Sequence, residues 1–508
     1  MSPFTRVLPP AVRRLGLLAL GLATLLPMLA GSMASMLLPA LGADFAVPFA
    51  SLQWVLVAYL LGLTCLTVVA GRLGDRFGRR RLLLWGMGLF VLASLLCALA
   101  PTIGWLLAAR VLQGAGAACM LVLSLAMVGQ LVSPARRGRG MGLLGTLSAC
   151  GTALGPSFGG LLLDVAGWQP AFLALLPIGL LALVCGLFGL PRDEACTEGE
   201  GLNLASLSLL LVALLCYGLA LTSTGALALW LGGGALLATA WLVHSELGTA
   251  APLLPLALLG TRRLRGGLAA SALVAGIMML TLLIGPFYLQ GVFGLDPLTS
   301  GLLISAGPLL AALTGLPAGW LVDRVGAITV VRLGLLLMSG AAALLAVLSP
   351  ALGPLGYLLP ILLLTAGYAL FQTANNSAVI GGCGGQARGA VAGLLTLARN
   401  LGQLTGAAGL GALFAGLAGG GDPAVASASE LHFAMQASFA LSGVLLLAAL
   451  WLAGRDLCST TGDVTREGCE SGGAENEDAS TGEASCDEIE RFAYRVLNRS
   501  APRSRFTG

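Results

Sequence analysis

The sequence has 508 residues, of which 57% are hydrophobic and only 10% are charged, and its formal net charge is +4. That balance excludes a soluble globular domain. Apolar runs of about 20 residues or more recur along the chain, and each can cross roughly 30 Å of hydrocarbon as a helix. The sequence therefore predicts an all-α polytopic membrane protein that spans the lipid bilayer.

The first apolar run follows Arg13 and Arg14 and extends from Leu15 to Leu41. A secretory signal has an apolar core of only about 7–15 residues. Because this run is much longer, we interpret it as an uncleaved first transmembrane helix.

Fourteen transmembrane spans are predicted along the sequence. Their bounds are 15–41, 51–70, 82–100, 103–131, 141–163, 168–190, 203–223, 225–243, 266–292, 298–320, 329–349, 355–380, 391–417 and 434–453. With the N-terminus inside, the arginines of the connecting segments fall on the inner side and none falls in an outer loop. Positive charge collects on the cytoplasmic side of membrane proteins. The sequence thus predicts an inner (plasma) membrane protein with both termini in the cytoplasm.

A glycine-rich basic segment between the second and third predicted spans is the most charged part of the first 130 residues. Its glycines permit a tight reversal of the chain, and its acid can accept backbone hydrogen bonds at a helix start. The residues that define it are Gly71, Gly74, Asp75, Arg76, Gly78 and Arg79. We call the segment from Gly71 to Arg81 the basic turn.

Part of the basic turn recurs 248 positions later, where Asp323 and Arg324 stand between Gly319 and Gly326. The repeat indicates two related halves. Because the offset exceeds the length of six helices by about two spans, we interpret the seventh and eighth spans as an insertion. The predicted domains are a cytoplasmic N-terminus (1–14), a first six-helix bundle (15–190), a linker with two extra spans (191–265), a second six-helix bundle (266–453) and a disordered cytoplasmic tail (454–508).

Two further motifs lie within predicted spans. Arg110 and Gln113, one turn apart in the fourth span, precede a glycine-rich stretch. A buried arginine is costly in a membrane and needs a partner, so Arg110 is either a structural clasp on helix carbonyls or a functional residue. The fifth span carries a proline that kinks it and glycines that form a smooth groove. These residues are Gly151, Gly155, Pro156, Gly159 and Gly160.

The three motifs together resemble those of the major facilitator superfamily. The resemblance implies two six-helix bundles that move by alternating access, with the basic turn latching them and Arg110 serving in proton coupling. The motif of the fifth span resembles that family's antiporter signature, which implies export. The residues Leu52 to Val55 with Tyr59, and the stretch from Leu397 to Gln403, resemble the fourteen-helix drug:proton antiporter branch. The implied function is export of amphipathic small molecules, and not binding of nucleic acid, by a monomer that uses the proton gradient.

One position departs from that branch. The first helix of the branch carries an acid where this sequence has Ala30. The usual partner of Arg110 is missing, so the proton must bind elsewhere, and Asp164 is the first candidate. The alternative is that Asp164 is a solvated residue at a helix end with no role in coupling.

The predicted substrate cavity is uncharged apart from one arginine. The candidate residues are Gln53, Tyr59, Tyr288, Gln290, Gln372, Asn375, Asn376, Arg399, Asn400 and Gln403. No cofactor is predicted, because the histidines and cysteines lack metal-ligand spacing, and no nucleophile–base pair indicates an enzyme. Two alternatives stay open: an exporter of an endogenous metabolite by uncoupled or potential-driven transport, and a transporter-derived receptor or assembly protein that uses the tail.

Overall fold

The computed structural model describes residues 9–132, 137–193, 204–223, 225–247, 261–381, 388–418 and 422–456. Within these ranges the chain is helical and contains no β-strand. The predicted N-terminus (1–14) and tail (454–508) lie mostly outside the described residues.

The described helices follow one another along the chain. They are α1 (Pro10–Phe45), α2 (Phe49–Phe77), α3 (Arg79–Ala98), α4 (Ile103–Leu131), α5 (Arg137–Ala166), α6 (Trp168–Leu173), α7 (Leu175–Gly189), α8 (Leu204–Thr222), α9 (Gly225–Leu247), α10 (Arg262–Phe293), α11 (Pro297–Val325), α12 (Ala327–Ala346), α13 (Gly353–Gly381), α14 (Arg388–Thr405), α15 (Gly411–Leu417) and α16 (Ala428–Asp456). A π-helical turn, Gly406–Leu410, joins α14 to α15.

Twelve helical segments of the described chain are long and apolar enough to cross a membrane, so the predicted count of fourteen is not confirmed. Two predicted spans fall short. In 203–223 the apolar helix found among the described residues is Ser208–Leu221. The span 391–417 is divided by the π-helical turn, and its first part, α14, carries Arg399 among amide side chains.

The helices pack as two groups. In the first bundle (α1–α7), α1 packs on α5 and α7, and α4 packs on α2 and α3. In the second bundle (α10–α16), α12 packs on α13 and α16, and α10 on α14 and α16. Helices α8 and α9 pack on each other, and α8 also contacts α2 and α14. The Tyr217 hydroxyl of α8 lies 2.5 Å from Thr405 Oγ1 at the end of α14.

The helices alternate in direction, so their ends form two faces. We call the face that contains Gly78, Arg262 and Gly326 the arginine end, and the face that contains Phe49 and Pro297 the opposite end. The two predicted six-helix units contact each other chiefly through α5 and α11, which pack against each other.

Glycines set the closest helix contacts in the first bundle. A methyl group on Gly62 of α2 would collide with the Val111 carbonyl, and one on Gly114 of α4 would collide with the Tyr59 carbonyl. Small residues let helix backbones approach this closely in a bilayer, where the lipid gives no hydrophobic drive for association. The high glycine count of the sequence is therefore a packing feature.

Candidate functional site

The basic turn is a one-residue turn and not the longer loop that was predicted. Helix α2 continues to Phe77, and α3 begins at Arg79, so Gly71 and Gly74 lie inside α2. Gly78 alone has a positive φ, +96°, and joins the two helices. The prediction of a three-glycine reversal was wrong because a helix tolerates internal glycine at a cost of only about 1 kcal/mol.

Asp193, just after α7, holds the start of α3. Its carboxylate accepts the backbone amides of Arg80 at 2.8 Å and Arg81 at 3.1 Å. The Arg80 side chain donates to the Leu187 carbonyl at 2.7 Å. A carboxylate at a helix N-terminus is stabilised by the free amides and the helix dipole. The sequence predicted this role for Asp75, whose side chain lies outside the described residues.

The second copy of the turn has the same backbone design. Gly326, with φ +83°, ends α11 and begins α12. Asp323 and Arg324 are exposed there, and the Arg324 guanidinium lies 3.9 Å from the centroid of the Trp320 ring. The two copies thus support the predicted relation between the halves at the level of backbone conformation.

Arg110 is completely buried inside the first bundle. Its Nε donates to the Val55 carbonyl at 3.0 Å, and its Nη1 donates to Gln113 Oε1 at 2.6 Å and more weakly to the Ala30 carbonyl at 3.4 Å. The guanidinium also lies 4.4 Å from the centroid of the Tyr59 ring. Arg110 therefore clasps α1 and α2 through their carbonyls, at the level where Ala30 replaces an acid.

Gln113 extends this cluster to α3. It receives a hydrogen bond from Arg110 and donates from Nε2 to Ser94 Oγ at 2.8 Å. Its substitution Gln113→Leu leaves part of a buried cation without an acceptor, so we expect a loss of about 1.5–3 kcal/mol of stability. Thermal unfolding in detergent measures it. Ser94→Ala is the matched control, because it removes only a neutral hydrogen bond, worth about 0.5–1.5 kcal/mol; equal unfolding of both variants would contradict the role of Gln113.

The predicted approach of Asp164 to Arg110 is not present. Asp164 is exposed near the end of α5, whereas the hydrogen bonds of Arg110 go to α1, α2 and Gln113. The two groups point to different surroundings because the arginine side chain is directed into the bundle and the carboxylate lies at its end. The coupling role of Asp164 thus remains a prediction without a contact in this conformation.

The motif of the fifth span forms two seams on α5. A methyl group on Gly151 would meet the Leu25 carbonyl of α1, and one on Gly159 would meet Met33 of α1. Gly155 packs in the same way on Ser32. Gly160 faces the other direction, where a methyl group would collide with the Pro297 carbonyl of α11. Three glycines of the motif therefore pack α5 against its own bundle, and one packs it against the second bundle.

The contact between α5 and α11 is made at the opposite end. Gly301 of α11 packs on the Pro156 carbonyl, and the Ser157 amide donates to Ser305 Oγ at 2.9 Å. Beside this seam, the Phe49 ring of α2 contacts the Phe287 ring of α10 with centroids 5.1 Å apart. The two bundles are thus closed against each other at this end.

The same two helices have free space toward the arginine end. A methyl group on Gly142 or Gly145 of α5 would meet nothing within 4 Å, and neither would one on Gly315 or Gly319 of α11. This difference along one pair of helices describes an arrangement that is closed at the opposite end and open at the arginine end.

Two of the predicted cavity residues belong to the closed end. Gln53 is buried, and its Nε2 would lie 3.1 Å from a methyl group placed on Gly411 of α15. Gln290 lines a cavity of about 640 Å³ together with Phe287, Pro48 and Asp422, and its Nε2 is buried without a hydrogen-bond partner.

The two predicted cavity tyrosines are packed inside separate bundles. The Tyr59 hydroxyl donates to the Pro27 carbonyl at 2.7 Å beside Arg110. The Tyr288 hydroxyl lies 3.0 Å from His432 Nδ1, and the Tyr288 ring lies 5.1 Å from the Tyr357 ring. Both tyrosines therefore have intramolecular partners, and the structure does not bring them together.

The remaining predicted cavity residues lie on α13 and α14. Asn375 is buried and donates to Ser271 Oγ at 2.8 Å and to the Gly267 carbonyl at 3.1 Å. Four others, Gln372, Asn376, Arg399 and Gln403, are half-buried, and Asn400 is 4% exposed. Sequence reasoning missed Ser157, Ser305 and Asp193, and only Asp193, an acid directly after a span, carried a usable signal.

The chain belongs to the Major Facilitator Superfamily, whose family model matches residues 20–407. It is accordingly a multi-pass membrane transporter protein that acts on small molecules. The described residues contain no group of three or more histidine, cysteine or acidic side chains that could hold a metal.

Three relatives indicate the range of the family around this chain. It is 32% identical over 389 residues to an uncharacterized transporter, YebQ, of Escherichia coli, covering 74% of this chain and 84% of the relative. It is 29% identical over 388 residues to the riboflavin transporter RibZ of Clostridioides difficile, covering 76% and 84%. It is 32% identical over 413 residues to the multidrug resistance protein Stp of Mycobacterium tuberculosis, covering 79% and 76%.

A solved structure has the same fold. It is that of a bacterial homologue of the human lysosomal transporter Spinster in an inward-facing and occupied conformation, with a TM-score of 0.66 and 17% identity. The alignment covers 88% of this chain and 98% of that one. The prediction of the major facilitator fold is thereby confirmed.

Proposed function

We propose that the protein exports amphipathic organic compounds across the inner membrane as a secondary transporter. The observation that carries the proposal is the α5–α11 pair, which is sealed by Gly160 and Gly301 at the opposite end and has open space at Gly142 and Gly315. A pair of helices that closes at one end and opens at the other suits alternating access around a central site. The arginine end is the cytoplasmic side in this proposal, because arginine collects there.

The direction of transport rests on two supports. The fifth-span motif resembles an antiporter signature, and it forms the seam between the bundles. The relative Stp is named for multidrug resistance. The finer assignment to the fourteen-helix drug:proton antiporter branch is part of this proposal, with α8 and α9 as the two spans added to the two six-helix bundles.

A toxicity panel tests export directly. In a host that lacks its own efflux pumps, we expect the full chain to raise the tolerated concentration of at least one class of dyes, antibiotics or biocides. The control is the Gly301→Val chain at equal abundance in the membrane, because its side chain collides with α5. Unchanged tolerance to every compound, with the wild-type protein present in the membrane, would contradict drug export.

A second candidate function is export of an endogenous metabolite, which the similarity to a relative named as a riboflavin transporter favours. Release of riboflavin and other metabolites into the medium distinguishes the two candidates. The sequence leaves the driving force open between proton antiport and the membrane potential. The receptor alternative depends on the tail, 454–508, which lies mostly outside the described residues.

A further inference from the structure

Arg399 is a cation deep within the second bundle. It is the twelfth residue of α14, which begins at Arg388, so it lies roughly 16 Å along the helix from the arginine end. Helix α14 has neighbours on several sides, since it packs against α2, α8, α10 and α13. The side chain is half-buried.

The guanidinium of Arg399 has no hydrogen-bond partner among the described residues, and its charge acts on Tyr368 of α13. Asn400, which follows it, is 4% exposed and its amide also makes no hydrogen bond there. Neither side chain is among those with fully enclosed polar atoms lacking a partner. The polar atoms of both therefore keep some accessible surface.

No ion pair joins Arg399 to an acidic side chain in the part of the chain that the structure describes. Helices α8, α10, α13, α14 and α15 contain no aspartate or glutamate, and the side chain of Asp75, the acid of α2, lies outside the described residues. The acids of α1 and α5, Asp44 and Asp164, lie at the opposite end and are exposed. The other deep cation, Arg110, is occupied by the carbonyls of its own bundle. Among the described side chains, the charge beside α14 is thus without a counter-ion.

We propose that the transported compound is an amphipathic organic anion whose carboxylate or sulfonate group pairs with Arg399 and the neighbouring amides of Asn400 and Gln403. This inference rests on the proposed export function. Two unit charges about 6 Å apart at an effective dielectric constant of about 20 change binding about 100-fold. An anion gains that factor, whereas a lipophilic cation loses it and finds no carboxylate to compensate.

The charge of the substrate also supplies a driving force. A monovalent anion that leaves a cell with a negative interior gains about 2.3 kcal/mol per 100 mV, which is about a 50-fold concentration ratio. Export of an anion therefore requires no proton-binding residue. This agrees with Ala30 in the first helix and with the separation of Asp164 from Arg110.

The proposal is tested with three dansyl compounds that share one fluorophore. They end in a carboxylate, a neutral amide and a trimethylammonium group, respectively. The full chain is reconstituted in liposomes, and a potential is imposed with potassium and valinomycin. We expect the carboxylate compound to accumulate on the positive side, up to about 50-fold per 100 mV, without a pH gradient. We expect the trimethylammonium compound not to be concentrated.

Arg399→Gln should weaken binding of the carboxylate compound by about 100-fold, and Arg399→Lys should retain most of it because the charge remains. Arg265→Gln is the matched control, since Arg265 is exposed in the first turn of α10. Binding is read separately, as the rise in unfolding temperature that the carboxylate compound gives in detergent. A rise in the wild type that is absent in Arg399→Gln supports the anion site even where transport fails.

Two results would overturn the inference. Transport of the trimethylammonium compound in preference to the carboxylate would contradict the anion site and leave export standing. Accumulation driven by a pH gradient at zero potential, with no response to the potential, would contradict the driving force. If the wild type neither binds nor moves any of the three compounds, the inference fails together with the proposed function.

Discussion

The substitution Gly160→Ala is expected to open the opposite end of the transporter and to reduce transport strongly. Its methyl group would collide with the Pro297 carbonyl only while α5 and α11 touch. Overpacking of this kind costs about 1–3 kcal/mol, which shifts an equilibrium between two conformations about 5- to 150-fold. Gly301→Ala acts on the same seam from α11, through the Pro156 carbonyl, and should have the same effect.

Accessibility of a single cysteine measures this shift. Ser305→Cys, in a chain whose native cysteines are replaced, should react faster with an impermeant maleimide from the opposite end when Gly160→Ala is added. Gly315→Ala on the same helix is the control, because its methyl group meets nothing within 4 Å. Wild-type labelling and transport in both seam variants would mean that this seam does not close the pathway.

The substitution Gly114→Val is expected to destabilise the first bundle more than any surface change. A Cβ at this position would collide with the Tyr59 carbonyl and stand 2.8 Å from the Leu63 amide. Neither backbone group can move without separating α4 from α2, so the loss should reach or exceed about 1–3 kcal/mol. The separation would also pull the Val55 carbonyl away from Arg110.

Thermal unfolding in detergent, together with the amount of protein in the membrane, checks this prediction. Gly88→Ala on α3 is the control, because a methyl group there meets nothing within 4 Å. It should be neutral or stabilising by up to about 1 kcal/mol, since alanine has the higher helix propensity. If the Gly114→Val chain unfolded at the same temperature as the Gly88→Ala chain, the packing of α2 on α4 would not depend on this contact.

Much of the fold could be predicted because its signals are local. Apolar run length places helices, and the repeated glycine–acid–arginine pattern placed turns within 71–81 and 321–328, where Gly78 and Gly326 make them. The count of spans was less certain because it depends on α8 and on the divided helix of Arg399, where length and hydropathy are marginal.

The site could be predicted only in part because its partners are distant in sequence. Glycine spacing identified α5 as a contact helix, but it could not assign Gly159 to α1 and Gly160 to α11. Likewise, the sequence left Arg110 open between a clasp and a coupling residue. The carbonyls of Ala30 and Val55 that accept from Arg110 could not be foreseen, because any residue supplies a carbonyl.

The π-helical turn Gly406–Leu410 has a mechanical consequence for Arg399. A π turn contains one residue more than an α-helical turn, and such turns are frequent at functional sites. If the surplus residue is absorbed, α14 must rotate about 100° relative to α15, because each residue of an α-helix turns by that angle. Gly402 and Gly406 lie against α10, where methyl groups would collide with the Ala272 and Gly276 carbonyls, so such a rotation also requires α14 to separate from α10. The rotation would carry the Arg399 guanidinium around the axis of α14, while α15 keeps its position at the opposite end.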